Sequence, residues 1–447
     1  MAGPSDKARF YLEQSATELN ELERKKIFTR EEISSIARKR SDFEHIINAR
    51  GSHPSDYLRY IEFEKNVDAL RRKRIKRLGV RYKGAGQRTI YFLYNRATRK
   101  FSGDLTLWMQ YIDFARKDKA YKRLNDIFTS VARLHPTKPD IWILAAHYFM
   151  DTQADITNAR SYMQRGLRFC KNSEHLWLEY AKLETIYVGK IAGRRKILGL
   201  DIDRTKQQQV DEGNEDTDMI ALPEVTAEDI NPTLKQDDAV DEIALSNLAS
   251  APVLTGAIPL AIFDSAMKQF QGKPQIAERF FDMFTEFDQL PCIPRILQHV
   301  LEYLVHNFPN TVEIAICRFH MHVFGCSPDD AEFPSRLGDA LDLISSAMEQ
   351  HPSESVRLSE VAVRQLLSLN RLSTDADAAI QKVLRVALRK YVRTLGDGEG
   401  AGDKVASVAR SLQQEGKRHD AEALIRSSIR YWAGNEELQK LNSAVDR

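Results

Sequence analysis

Three tryptophans recur in the sequence at intervals of 34 and 35 residues, at Trp108, Trp142 and Trp177. Each opens a similar window of apolar and aromatic residues, and a related window opens at Tyr57. A repeat of this length fits two short antiparallel helices, A and B, which become stable by stacking on neighbouring pairs. The spacing therefore predicts an all-α fold, a helical-repeat solenoid of antiparallel helix pairs.

The aromatic residues of these windows are expected to lie in the repeat core. Positions 0, +3 and +7 of a window share one face of an α-helix, so their side chains pack together between helices. Small residues mark close helix contacts, and a proline ends a helix because it cannot continue the backbone ladder. The predicted repeat-core residues are Tyr57, Tyr60, Trp108, Tyr111, Pro136, Trp142, Ala145, Ala159, Arg160, Trp177 and Tyr180.

Capping and breaking residues divide the chain into regions. Thr29 and Glu32 form a predicted capping box at the start of a helix. The sequence predicts an N-terminal helical region (1–50), N-terminal repeats (51–200), an acidic segment (201–250) and C-terminal helical repeats (251–447). Within the N-terminal repeats, A helices are expected to begin near Leu105, Asp140 and Glu174, and B helices near Gln87, Ala120, Asp155 and Lys190.

The segment 201–250 interrupts the helical pattern. Residues 201 to 247 contain fourteen Asp or Glu against three Lys or Arg. A segment of low hydrophobicity and high net charge cannot offset the entropy of ordering, so a flexible acidic insertion is predicted. The alternative is an acidic recognition segment that folds on a basic partner.

Composition limits the classes of protein that remain. The formal net charge is +2, so the chain as a whole is not an electrostatic binder of nucleic acid. No apolar run reaches the roughly 18 residues that cross a bilayer, and the first residues show no hydrophobic signal region. Four scattered cysteines form no disulfide framework. We expect no membrane partner, no secretion and a reducing compartment.

Motifs for catalysis or cofactor binding are not recognisable. The stretch from Gly396 to Lys404 lacks the hydroxyl and the preceding strand of a phosphate-binding loop. Cys317, His320, His322 and Cys326 have the chemistry of zinc ligands, but a continuous helix cannot direct all of them at one metal. A buried structural role is the favoured interpretation. We predict no catalysis, no cofactor, no metal and no small-molecule substrate.

A basic run lies within the segment that joins the first A and B helices. Residues 68 to 100 contain twelve Lys or Arg and a single acid, Asp68. Three interpretations remain open for the run: a solvated helix face, a nuclear-import signal, or a contact with RNA phosphates. Its cations are Arg71, Arg72, Lys73, Arg74, Lys76 and Arg77.

The windows resemble half-a-tetratricopeptide repeats, a class found in RNA-processing assemblies. In them a Trp is followed by Tyr at +3, and a B helix carries Ala159, Arg160 and Arg165 in the expected pattern. An ordinary tetratricopeptide A helix has leucine where Tyr111 and Tyr180 stand here. Arg160 has no counterpart in the first unit, where Tyr91 occupies the place.

Five N-terminal motifs narrow the resemblance to one family. The stretches Arg9–Gln14, Glu18–Leu22, Phe28–Ile33, Lys39–Glu44 and Asp56–Glu64 closely resemble the U3 small nucleolar RNA-associated protein 6 family. That resemblance implies a nucleolar, non-enzymatic scaffold of the small-subunit processome, which matures the small ribosomal RNA. It also implies WD-repeat propeller proteins and other processome subunits as partners, with small nucleolar RNA and pre-ribosomal RNA contacted mostly indirectly.

Two other hypotheses fit the same repeats. A half-a-tetratricopeptide scaffold of splicing or of messenger-RNA 3′-end processing would share the windows and would commonly dimerise through C-terminal repeats. A direct RNA-binding module would use the basic run.

Overall fold

The computed structural model describes residues 4–81, 86–197, 254–326, 330, 332–372, 378–396 and 402–445. Nineteen α-helices, one short 3-10 helix and no strand occur in these ranges. The chain divides into two compact units, Met1–Tyr148 and Phe149–Arg447. No helix within the described ranges is long and apolar enough to cross a membrane.

In the first unit, helices that follow one another in sequence pack together. Helix α1 packs on α2, α3 on α4 and α5 on α6, with further contacts from α2 to α3 and from α4 to α5. The helices are α1 (Pro4–Arg24), α2 (Arg30–Asn48), α3 (Pro54–Leu78), α4 (Gly86–Lys100), α5 (Leu105–Lys117), α6 (Tyr121–Leu134) and α7 (Pro139–Thr152), the last of which contains the division between the units.

The second unit continues the same arrangement, in which each helix packs on its neighbours in sequence. A 3-10 helix, Pro352–Glu354, precedes α15. The helices are α8 (Ile156–Phe169), α9 (Glu174–Ile197), α10 (Ala257–Gln269), α11 (Pro274–Thr285), α12 (Ile293–Asn307), α13 (Val312–Val323), α14 (Phe333–Gln350), α15 (Ser355–Leu372), α16 (Ala378–Gly396), α17 (Asp403–Gln414), α18 (Arg418–Ser428) and α19 (Glu436–Val445). The predicted all-α fold of packed helix pairs is confirmed.

Local signals set several helix starts. The Thr29 hydroxyl accepts from the Glu32 amide, and the Glu32 carboxylate accepts from the Thr29 amide, which confirms the predicted capping box. The side-chain oxygens of Asp104 and Asp155 accept from backbone amides in the first turns of α5 and α8. These oxygens satisfy amide groups that lack a partner within the first turn of a helix.

The predicted B helix near Lys190 is wrong. Helix α9 runs unbroken from Glu174 to Ile197, and the next helix along the chain that packs on it is α10, beyond the acidic segment. Buried Val188 and Ile191 extend the apolar face of α9 past the expected break. The predicted acidic insertion, 201–250, and most of the glycine-rich loop, 397–401, lie outside the described residues.

All three tryptophans of the repeat windows make the same hydrogen bond. The indole N–H of each donates to the backbone carbonyl six residues earlier: Trp108 to Ser102 at 3.0 Å, Trp142 to Pro136 at 2.9 Å, and Trp177 to Lys171 at 3.0 Å. This hydrogen bond therefore connects each A helix to the turn that precedes it. Tryptophan suits this position because it combines a large apolar ring with one donor.

Burial differs among the predicted core residues. The buried ones are Tyr57, Tyr60, Trp108, Tyr111, Trp142, Ala145, Ala159 and Tyr180. Trp177, Arg160 and Pro136 are only partly buried. A core role for Trp177 is therefore weaker than for Trp108 and Trp142.

Candidate interaction surface

Two equivalent ion pairs tie B helices to the A helices that follow them. Arg40 Nε and Nη2 donate to the two carboxylate oxygens of Glu64, both at 2.8 Å. Arg160 donates to Glu184 through the same two atoms, at 2.6 and 2.7 Å. In both pairs the glutamate lies at position +7 of an aromatic window and 24 residues after the arginine.

The shared geometry places α2 in the register of a B helix. Sequence reasoning assigned Arg160 to the repeat pattern but missed Arg40, although the 24-residue Arg-to-Glu spacing could have revealed it. The window that opens at Trp108 has Ala115 at +7, and Tyr91 stands where an arginine would be. Tyr91 instead donates its hydroxyl to Asp118 at 2.9 Å, so a different contact ties that repeat together.

A cleft of about 730 Å³ lies among α1, α2, α3 and α4. Its walls come from the first and fourth helices and its floor from the second and third. The side chains that give it its chemical character are Tyr11, Ser15, Glu18, Arg40, Arg88 and Phe92. Phe92 is 39% exposed and Arg88 is exposed, so the cleft presents both an apolar and a cationic group to solvent.

Another forked ion pair, between Arg96 and Glu44, supports the aromatic wall of the cleft. Arg96 donates to both oxygens of Glu44, at 2.8 and 3.0 Å. Its guanidinium carbon lies 4.1 Å from the centre of the Tyr11 ring and 5.4 Å from that of Phe92. Bidentate pairing and stacking fix an arginine in one orientation. The cleft wall is therefore preorganised, which lowers the entropic cost of binding a partner.

The basic run of α3 is split between internal and solvent-exposed cations. Arg71 is 5% exposed and pairs with Asp68, and Arg74 donates to both oxygens of Glu32 at 2.6 Å. The hydrogen bond from Arg74, with that from the Thr29 amide, lowers the pKa of Glu32 to about 2. The cations left exposed are Arg72, Lys73, Lys76 and Arg77.

The four residues with the chemistry of zinc ligands, for which a buried structural role is the favoured interpretation, have different surroundings. Cys317 is fully buried, and burial raises the pKa of its thiol well above the usual value, which disfavours the thiolate that binds metal. Burial lowers the pKa of His320 to about 4. The Cys326 thiol lies 3.8 Å from the His322 carbonyl. Within the described ranges no group of three or more such side chains is arranged to hold a metal.

A cluster of carboxylates surrounds Arg357 in the second unit. Arg357 contacts Glu278 of α11 and donates to Glu313 of α13 at 3.1 Å, and both glutamates are buried. Loss of hydration raises the pKa of Glu278 to about 7, with Arg357 opposing the shift and Asp282 and Glu313 adding to it. The cluster joins three helices through a group that titrates near neutral pH.

Glu278→Gln is expected to gain stability relative to the unchanged chain as pH rises from 5 to 8. Because the folded pKa of Glu278 exceeds the unfolded value, its stabilising contribution is complete below about 4.5 and lost as pH approaches 7. The shift corresponds to about 3 kcal/mol. Urea unfolding at each pH measures the difference in the free energy of unfolding between the variant and the unchanged chain. His320 contributes stability with the opposite pH dependence in both proteins, so its contribution cancels in the difference.

The matched control is Glu302→Gln, which removes an exposed carboxylate from the neighbouring α12. Its difference from the unchanged chain should stay constant across the same pH range. A constant difference for Glu278→Gln as well would contradict the assignment.

The fold and the repeat contacts define an all-helical repeat protein built from packed helix pairs. A family model described as U3 small nucleolar RNA-associated protein 6 matches residues 12–98, which cover most of α1, all of α2 and α3, and nearly all of α4. The resemblance of the chain to this family, inferred from its N-terminal motifs, is confirmed.

Relatives with that name occur in distant organisms. U3 small nucleolar RNA-associated protein 6 of Schizosaccharomyces pombe is 36% identical over 50% of this chain and 48% of its own length. The Dictyostelium discoideum homolog is 22% identical over 98% of this chain and 73% of its own length. The human homolog is 30% identical over 40% of this chain and 31% of its own length. The matched stretch thus spans about half of the fission yeast relative.

Proposed function

We propose that the chain is a non-catalytic scaffold subunit of the nucleolar small-subunit processome, where it holds partner proteins during pre-ribosomal RNA processing. The observation that carries this proposal is the match of the family model to residues 12–98, which contain every lining residue of the cleft except Tyr11. The names of the matched relatives refer to association with U3 small nucleolar RNA, whose complex acts in the nucleolus. Nucleolar localisation follows from the same proposal.

The proposed partners are WD-repeat propeller proteins and other processome subunits, and the proposed docking site is the cleft. Its exposed Phe92 and Arg88 offer an aromatic and a cationic anchor, the residue types that dominate binding energy at protein interfaces. The repeats of regions 51–200 and 251–447 would supply additional surface, as stacked helix pairs do in other repeat proteins. RNA would be reached mostly through those partners.

Affinity purification of the tagged full-length chain under gentle salt tests the proposal. We expect pre-ribosomal subunits, including WD-repeat proteins, among the co-purifying chains identified by mass spectrometry. The double variant Phe92→Ser, Arg88→Ser should lower recovery of the protein bound at the cleft by about tenfold or more, since central anchors contribute more than 1 kcal/mol each.

Tyr121→Ser provides the control, because it removes an aromatic ring of similar exposure on α6, away from the cleft. This variant should recover the same proteins as the unchanged chain. Recovery of splicing or 3′-end processing proteins, or a tight homodimer by mass measurement, would contradict the processome assignment. Equal losses for both variants would contradict the cleft as the docking site.

A further inference from the structure

The exposed cations of α3 lie next to a second group of cations that is distant in sequence. Lys25, at the turn between α1 and α2, donates from Nζ to the backbone carbonyl of Arg81 at 3.0 Å. Arg74 donates to the carbonyl of Ile27 at 3.1 Å, and its guanidinium lies 4.8 Å from the centre of the Phe28 ring. These contacts bring the turn and the end of α3 together at one end of the helix group.

We define the basic face as the exposed cations from both segments. They are Arg24, Lys26, Arg72, Lys73, Lys76, Arg77 and Arg81. Arg72 also pairs with Asp68 at 2.8 Å. The other six form no salt bridge with another described residue within 4.0 Å, and the exposed carboxylates near them in sequence are Glu21, Glu23 and Glu31. The face therefore carries a large excess of positive charge.

Arg71 and Arg74 hold this face in shape and do not belong to it. Their guanidinium groups are occupied by Asp68, Glu18 and Glu32, carboxylates of α3, α1 and α2. Lys76 and Arg77 lie three and four residues after Lys73. This spacing places the three side chains on one side of the helix, about one turn apart. The exposed cations therefore project from a regular helix that ion pairs hold against α1 and α2.

We propose that the basic face binds the phosphate backbone of RNA directly and without sequence preference. Phosphate binding requires only clustered Lys and Arg, whose binding releases counterions from the nucleic acid. No exposed aromatic side chain occurs on α3 or at the described turn between α1 and α2, so the face has no platform on which to stack bases. Contact with the backbone alone carries no sequence information.

A protein partner is less well matched to this surface. Protein interfaces concentrate their binding energy in central aromatic and arginine anchors that become fully desolvated. The large apolar side chains exposed on α3 are Leu70 and Leu78, and neither is aromatic. The acidic segment 201–247 of this chain carries fourteen acids, so by charge alone it could compete with RNA for the basic face.

Fluorescence anisotropy with a labelled 20-nucleotide oligouridylate tests direct binding by the full chain at several salt concentrations between 50 and 200 mM. The variant Arg72→Gln, Lys73→Gln, Lys76→Gln, Arg77→Gln should reduce the slope of log K against log salt by about 2.8, since each lost contact contributes about 0.7 for a single strand. At the lowest salt this variant should bind many-fold more weakly than the unchanged chain.

The control variant is Lys117→Gln, Lys119→Gln, Lys122→Gln, Arg133→Gln, which removes the same charge from exposed positions on and between α5 and α6. It should keep the slope of the unchanged chain, and far-ultraviolet circular dichroism should show equal helicity for all three proteins. Equal weakening by the two variants, or no binding at 50 mM salt, overturns the proposal.

A chain that lacks residues 201–247 distinguishes binding of RNA at the basic face from binding of the acidic segment there. If only this shortened chain binds RNA, the acidic segment covers the basic face in the intact protein, and RNA is not its resident partner. Binding of equal strength by the intact and shortened chains supports the proposal. Loss of RNA binding would leave the scaffold function untouched, because that function is tested by the proteins recovered through the cleft.

Discussion

Glu64→Ala is expected to lower the free energy of unfolding of the first unit by about 3–5 kcal/mol, because it leaves Arg40 charged and buried without its partner. Arg40 is 4% exposed, and both of its hydrogen bonds to a side chain go to Glu64. Urea unfolding followed by circular dichroism measures the loss. The variant should also expose the cleft floor to faster amide hydrogen exchange.

Glu184→Ala is the matched control for this prediction. It removes the same bidentate pair, but the Arg160 side chain left behind is 29% exposed and can be hydrated. We expect a cost of about 1–3 kcal/mol there. The double variant Arg40→Met, Glu64→Leu should recover most of the loss, since apolar replacements of similar volume often match a buried ion pair. Equal costs at Glu64 and Glu184 would show that burial of the arginine does not control the effect.

Trp142→Ala is expected to destabilise the helices around it by about 3–5 kcal/mol, the usual cost of removing a large buried aromatic side chain. The ring is 4% exposed and its N–H donates to Pro136, so the substitution creates a cavity and also releases α7 from the preceding turn. The midpoint of urea unfolding and the melting temperature should both fall.

Trp142→Phe separates the two contributions. This change retains most of the apolar ring but loses the donor, and should cost about 1 kcal/mol for the hydrogen bond plus a smaller packing term. Trp177→Ala should cost less than Trp142→Ala, because Trp177 is only partly buried. An unchanged melting temperature for Trp142→Ala would contradict the repeat register that the tryptophan spacing predicts.

Local signals in the sequence predicted the beginnings of several helices well. The capping box at Thr29 and the helix starts at Leu105 and Glu174 depend on residues close in the chain, which determine backbone conformation directly. The false break near Lys190 arose from extending the earlier spacing to a longer helix. Gly189 does not end α9, which continues through it to Ile197. A Cβ at this position would lie 3.7 Å from the Leu290 side chain, an ordinary van der Waals distance, so no close contact requires the glycine.

The cleft and the composite basic face could not be predicted from sequence, because both depend on contacts between helices. Glu64 and Lys25 meet partners 24 and 56 residues away, and charge alone does not identify those partners. Besides the 24-residue spacing that Arg40 and Glu64 share with the second ion pair, another signal was available. Arg71 continues the series Tyr57, Tyr60, Glu64 and Asp68 at spacings of three and four residues, which predicts an inward-facing position. Arg71 is in fact buried.

The position of the acidic segment between α9 and α10 has a consequence for the order of folding. Only three residues separate α5 from α6, whereas residues 198–256 separate the two members of the α9 and α10 pair. The entropy lost when two helices meet grows with the length of chain between them, so distant contacts form more slowly than local ones. During synthesis the first unit can complete its local pairs early, and α9 can pack on α8 at once, but α9 meets α10 only after almost sixty further residues have been added.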